Sequence, residues 1–178
     1  MDPVITAIII ICMSLLFAVA AMHKIRSPLA FKTAMQEYHL LPSPFLVPAS
    51  ILVMISETLA AALVLIPTTR SVGLAIMAVL LLIYAAGIGI NLLRGRRDID
   101  CGCNGPASRQ MLSWWLVVRN LLVLGFILMA MKPTSGRKFN WLVGLTVLFG
   151  VLVVSGLYLS LNQLLSRAPR MKGMRGTA

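Results

Sequence analysis

Long apolar runs separated by short polar segments set the pattern of the chain. Five windows are long enough to cross a bilayer as helix: residues 4–22, 45–66, 71–93, 111–131 and 141–165. A hydrocarbon core of about 30 Å takes about 20 residues at a rise of 1.5 Å each. The second window carries one charge, Glu57, and the fourth carries one, Arg119; the other three carry none. Helix is the expected form, because isolated strands leave backbone groups unpaired in lipid. Between the first two windows the pattern changes. Ser27-Pro28 reads as a helix start, with Ser27 as the cap and Pro28 in the first turn. Leu29, Met35 and Leu40 then alternate with Lys32, Gln36 and Glu37, which predicts a short surface helix over 28–41. The Pro42-x-Pro44 breaker closes it. Trp114, Trp115 and Trp141 fall near span ends, where aromatic belts sit. The expected fold class is all-α, a polytopic membrane helical bundle.

Composition narrows the picture to the same class. Of 178 residues, 59% are hydrophobic and only 12% are charged. A soluble domain needs about twice that share of charge. A soluble enzyme, a disordered chain and a disulfide-rich secreted module are therefore excluded. Ala18, Ala20 and Ala21 resemble a signal-peptide cleavage site, but no Lys or Arg precedes the apolar run, so it reads as a retained span.

The net charge of +11 sits in short runs between apolar stretches. No basic face is interleaved with aromatics, which argues against nucleic acid as a partner. The bases instead fix topology and meet anionic headgroups of the lipid bilayer. With five spans, residues 23–44, 94–110 and the basic tail 167–178 share one side and hold eleven Lys and Arg. The other side holds four: Arg70, Lys132, Arg137 and Lys138. The expected orientation has the N-terminus periplasmic and the C-terminus cytoplasmic. Residues 1–166 then form the membrane domain.

The densest chemistry lies in Asp100-Cys101-Gly102-Cys103-Asn104-Gly105-Pro106. A disulfide between Cys101 and Cys103 closes an 11-membered ring. Residues two apart in an extended chain lie near the upper limit of the Cα separation that a disulfide accepts. The backbone must turn at the middle residue, and Gly102 permits that. A strained disulfide is readily reduced, and a staple across one residue adds little stability. Arg94, Arg96, Arg97 and Arg109 flank the pair and favour thiolate, against Asp98 and Asp100. Three readings stand beside one another: a redox pair, half of a metal site, and two inert loop cysteines. No second Cys pair or nearby His completes a metal site, so none is expected. Cys12 is mid-span and reads as a small core filler.

Glu57 and Arg119 are the ionisable residues well inside the windows, and each should face the bundle interior. An Arg119–Glu57 ion pair is the simplest way to satisfy both. The functional alternative is a proton relay or a quinone held near Arg119. Asn91 and Asn120 are expected to hydrogen-bond between helices.

Two stretches carry a resemblance to a known family. They are His23-Lys24-Ile25 with Phe31 and Tyr38-His39-Leu40-Leu41-Pro42, and the run from Asn91 to Cys103 followed by Ser113-Trp114-Trp115 and Arg119-Asn120. Together they resemble the MauE branch of the DoxX-like membrane proteins, over roughly residues 4–131. The resemblance implies a four-helix core with 141–165 as an added fifth C-terminal transmembrane helix. It implies a bacterial inner-membrane accessory factor rather than a dehydrogenase. Its partners would be a thioredoxin-like MauD-type protein and the disulfide-rich small subunit of methylamine dehydrogenase, which it helps to mature. The role is thiol–disulfide exchange or, alternatively, that of a non-redox scaffold or transport component. The charge count sets the Cys loop on the cytoplasmic side, whereas the implied client lies outside.

Overall fold

A computed structural model of the protein describes residues 2–101, 111–132, 144–157 and 160. Among these residues there are six helices and no strand. They are α1 (Pro3–Arg26), α2 (Pro28–Glu37), α3 (Ser43–Leu63), α4 (Arg70–Leu93), α5 (Trp114–Ala130) and α6 (Gly144–Leu157). Helices α1, α3 and α4 are long and apolar enough to cross a membrane, and α5 and α6 are shorter apolar helices. At 1.5 Å per residue, the 24 residues of α1 measure about 36 Å.

Helices α1, α3, α4 and α5 form a ring. α3 packs between α1 and α4, and α5 closes the ring against α4 and α1. The first apolar cluster fills the ring, from Ile9, Met13 and Phe17 of α1 to Ala60, Leu74, Leu81, Val123 and Ile127. The Ser14 hydroxyl donates to the Ala61 carbonyl at 2.8 Å and ties α1 to α3. Leu15, Val19, Leu52, Leu59, Leu82, Ile83, Leu122 and Leu128 point outward and exposed. Lipid is the solvent that suits such a surface.

Alternation of the ring helices puts the C-terminal ends of α1 and α4 and the N-terminal ends of α3 and α5 at one end of the bundle. Helix α2 lies at that end, against α3 and α1. It begins at Pro28 as the pattern predicts, but the Ser27 side chain makes no capping bond, and the helix stops at Glu37 rather than at 41. His39 takes a left-handed φ of +49°, which turns the chain toward α3. The buried face of α2 is Phe31 and Ala34, whereas Leu29 and Leu40 are exposed. At the opposite end Thr69 donates to the Leu63 carbonyl at 2.9 Å and closes the turn between α3 and α4.

Candidate functional site

The end of the bundle that carries α2 also receives the loop after α4. Gly95 ends that helix in the left-handed region at φ +74°. The Gly95 and Arg96 amides return to the carbonyls of Leu92 and Asn91, both at 3.0 Å. This is a Schellman stop, which a side chain at Gly95 would strain. The chain then runs through Arg97 to Cys101. Asp100 bridges to Met111, and the Leu112 amide donates to the Ile99 carbonyl at 3.1 Å. The two ends of the loop are thereby paired, and 102–110 runs between them.

Cys101 is buried, at 8% exposure, in a second apolar cluster with Ile88, Leu92, Ile99, Leu112 and Leu116. Tyr38 packs against this cluster, and its hydroxyl donates to the Cys101 carbonyl at 3.5 Å. A side chain at Gly87 would meet the Tyr38 ring at 3.6 Å, so the ring lies along that stretch of α4. The link between α2 and α3 therefore backs the cysteine loop. Gly102 and Cys103 lie outside the described residues, as do Arg109 and the basic tail. Arg94 and Arg97 are exposed on the loop, near the described cysteine in sequence.

Deeper in the bundle is a second polar site. Lys24 and Glu57 form an ion pair with both side chains almost fully buried. The Tyr84 hydroxyl donates to the same Glu57 oxygen, Oε1, at 2.5 Å, and Lys24 Nζ lies 3.3 Å from that hydroxyl. The ammonium also sits 5.0 Å from the ring centres of Phe31 and Tyr84, a cation–π arrangement. Four helices thus meet at one lysine.

This pair corrects the expected Arg119–Glu57 bridge: the partner of Glu57 is Lys24. Side chains on a helix lean toward its N-terminus. On α1 that direction carries Lys24 inward from the bundle end, and on α3 it carries Glu57 outward to meet it. Arg119 of α5 is half-buried and does not pair with Glu57. Sequence reasoning missed Lys24 because it ended the first span at Met22, whereas α1 continues to Arg26. The usable signal was an unbroken run of helix-compatible residues up to Ser27-Pro28. Asn91 also departs from expectation. It donates to the Gly87 carbonyl of its own helix at 3.1 Å rather than to another helix.

The apolar helices and the cysteine-bearing loop at one end of their ring define a polytopic helical membrane protein. The chain belongs to the MauE family: the model for "Methylamine utilisation protein MauE" matches residues 2–133, which takes in α1 through α5. A relative in Paracoccus denitrificans, "Methylamine utilization protein MauE", is 36% identical over 128 residues, covering 71% of this chain and 68% of its own. Proteins of the same name in Methylophilus methylotrophus and Methylorubrum extorquens are each 29% identical. The first alignment covers 89% of this chain and 85% of the relative, the second 88% and 90%. No solved structure matches the chain. Its setting is methylamine utilisation.

Proposed function

We propose that this protein is an inner-membrane accessory factor for maturation of the disulfide-rich small subunit of methylamine dehydrogenase. It acts by thiol–disulfide exchange at Cys101 and Cys103 with a thioredoxin-like partner. The supporting observation is the setting of Cys101: on a loop whose ends are paired, at the end of the bundle, backed by Tyr38. Such a mounting holds a thiol at a fixed place while the flanking segment meets another protein. Exchange proceeds by thiolate attack on a disulfide sulfur through a mixed disulfide. One cysteine of the reduced pair attacks the partner disulfide and releases one partner thiolate. The other cysteine then attacks the mixed disulfide, leaving a Cys101–Cys103 disulfide and a reduced partner. The reverse sequence oxidises the partner. Arg94 and Arg97 supply positive charge that favours thiolate.

A non-redox scaffold is the second reading, and the burial of Cys101 favours it. In that case the α2 end of the bundle holds the partner and the exported subunit without exchanging electrons. Replacing Cys101 and Cys103 by Ser, singly and together, separates the two. Exchange requires that each change blocks formation of mature small subunit while the protein still inserts. Normal maturation with the double variant would leave the scaffold reading.

Orientation bears on the route. The positive-charge count sets the N-terminus outside and the cysteine loop in the cytoplasm. Direct exchange with an exported subunit needs the loop on the other side, and a cytoplasmic loop needs a relay of electrons across the bilayer.

A further inference from the structure

Tyr38 stands apart in the cluster that buries Cys101. Ile88 and Leu92 come from α4, Leu116 and Val117 from α5, and Ile99 and Leu112 from the paired ends of the loop between those helices. Among the described residues of the cluster, Tyr38 alone arrives from elsewhere, at the C-terminal end of α2. Its hydroxyl donates to the Cys101 carbonyl at 3.5 Å.

Helix α2 is held at two places. Phe31, Ala34 and Tyr38 are spaced three and four residues apart, so they share one face. At one end of that face the Phe31 ring centre lies 5.0 Å from the Lys24 ammonium. At the other end, two turns on, Tyr38 packs against the cysteine cluster. A second line of contact joins the same two points along α4. Tyr84 donates to Glu57 and faces Lys24, and a Cβ at Gly87, one turn further, would lie 3.6 Å from the Tyr38 ring. The ion pair and Cys101 thus sit at the two ends of one short helix.

Little else fixes α2. Its ten residues are fewer than an isolated helix needs to persist without packing. Phe31 and Ala34 are its buried residues, Leu29 is 73% exposed, and Ser27 makes no side-chain capping bond. The chain leaves α2 through His39 at φ +49°, a conformation that residues other than glycine hold where their surroundings impose it. Elements with few buried contacts open locally at a lower free energy than the core.

We propose that α2 is a hinged cover over Cys101, kept shut from its far end by the seat of Phe31 on Lys24. Swinging α2 outward withdraws Tyr38 and uncovers the thiol, while α4, α5 and the loop between them stay in place. Phe31 is then a positioning residue that acts on Cys101 through α2. The proposal deepens the thiol-exchange reading, since a partner needs the thiol uncovered. Its readout is access to one thiol and needs no electron transfer, so it fails or holds separately from the Ser variants.

The test uses the reduced full chain in lipid nanodiscs. Alkylation of Cys101 by iodoacetamide is timed by tandem mass spectrometry, and amide hydrogen exchange is followed over α2. Phe31→Ala is expected to raise the alkylation rate about fivefold or more and to speed exchange in α2, with α1, α3 and α4 still protected. Phe31→Leu keeps apolar volume and removes the ring; it is the substitute should Phe31→Ala fail to fold, with a smaller change of the same sign. Gly73→Ala is the control. It strains the α3–α4 turn at the opposite end, where its methyl group would lie 2.7 Å from the Val64 amide nitrogen. It is expected to leave Cys101 alkylation at its original rate. Equal acceleration by Gly73→Ala would assign exposure of the thiol to opening of the whole bundle and overturn the proposal. Faster exchange in α2 with unchanged alkylation would overturn it too, as would no change in either.

Discussion

At the scale of single residues, the Lys24–Glu57 pair is the most constrained feature. Removing one partner of a buried pair leaves an uncompensated charge, at a cost of about 3–5 kcal/mol. Lys24→Met is therefore expected to lower the unfolding temperature sharply in detergent. Lys24→Met combined with Glu57→Leu is expected to recover most of the loss, because apolar replacements remove both charges together. Equal destabilisation by the single and double variants would mean that packing around Lys24, rather than charge, holds the site. Glu57 was legible in the sequence as an interior residue because a lone carboxylate in an apolar window stands out. Its partner was not. Lys24 sits among charged residues at the end of a span, where lysines normally reach out to headgroups. Only the direction of the side chain along α1 shows that this one turns inward.

At the scale of helices, the hydrophobic pattern located the elements but not every end or face. The α4 stop shows why. Apolar content carries the pattern through Leu93, and Gly95 then ends the helix by its left-handed backbone. The second window ran to Ile66, whereas α3 ends at Leu63 and turns. That end is fixed by tertiary contact, since a side chain at Gly73 would lie 2.7 Å from the Val64 amide nitrogen. Gly73→Ala is accordingly expected to destabilise the α3–α4 hairpin by about 1–3 kcal/mol, as overpacking against backbone does. Gly87→Ala is the contrast. Its new methyl group would meet Leu40 at 3.5 Å and Tyr38 at 3.6 Å, an ordinary contact. It is expected to be neutral or to stabilise the helix by about 0.5–1 kcal/mol. Thermal unfolding of the two variants side by side measures both. For α2, the alternation of apolar and polar residues did not single out the face that meets the bundle. Phe31 and Ala34 face the bundle, with Lys24 Nζ 5.0 Å from the Phe31 ring centre, and Leu29 is 73% exposed.

At the scale of the whole molecule, the arrangement joins features that the sequence keeps far apart. The chain folds so that α2, the inner ion pair and the cysteine loop gather toward one end of a membrane bundle. The resemblance legible in the sequence and the family model converge on the same family, and α1–α5 fall within its extent. The place of Cys101 was only half legible. Its neighbours in sequence are charged and polar, yet Tyr38, Leu112 and Leu116 converge on it from elsewhere in the chain and bury it. Exchange with a partner therefore requires Cys101 to become accessible. Tyr38→Phe removes the hydroxyl that reaches the Cys101 carbonyl. It is expected to speed alkylation of Cys101 severalfold in reduced, folded protein, measured by mass spectrometry. An unchanged rate would show that the apolar cluster alone shields the thiol.

Redox cycling of Cys101 and Cys103 is best tested by trapping their state in cells growing on methylamine. Intact cells are treated with a membrane-impermeant maleimide, with and without prior reduction, and permeabilised cells are treated in parallel. The expected result is labelling of the pair only after reduction, in one of the two preparations, which also reports the side of the membrane that the loop faces. Full labelling of both thiols without reduction, unchanged when the thioredoxin-like partner is deleted, would contradict thiol–disulfide exchange.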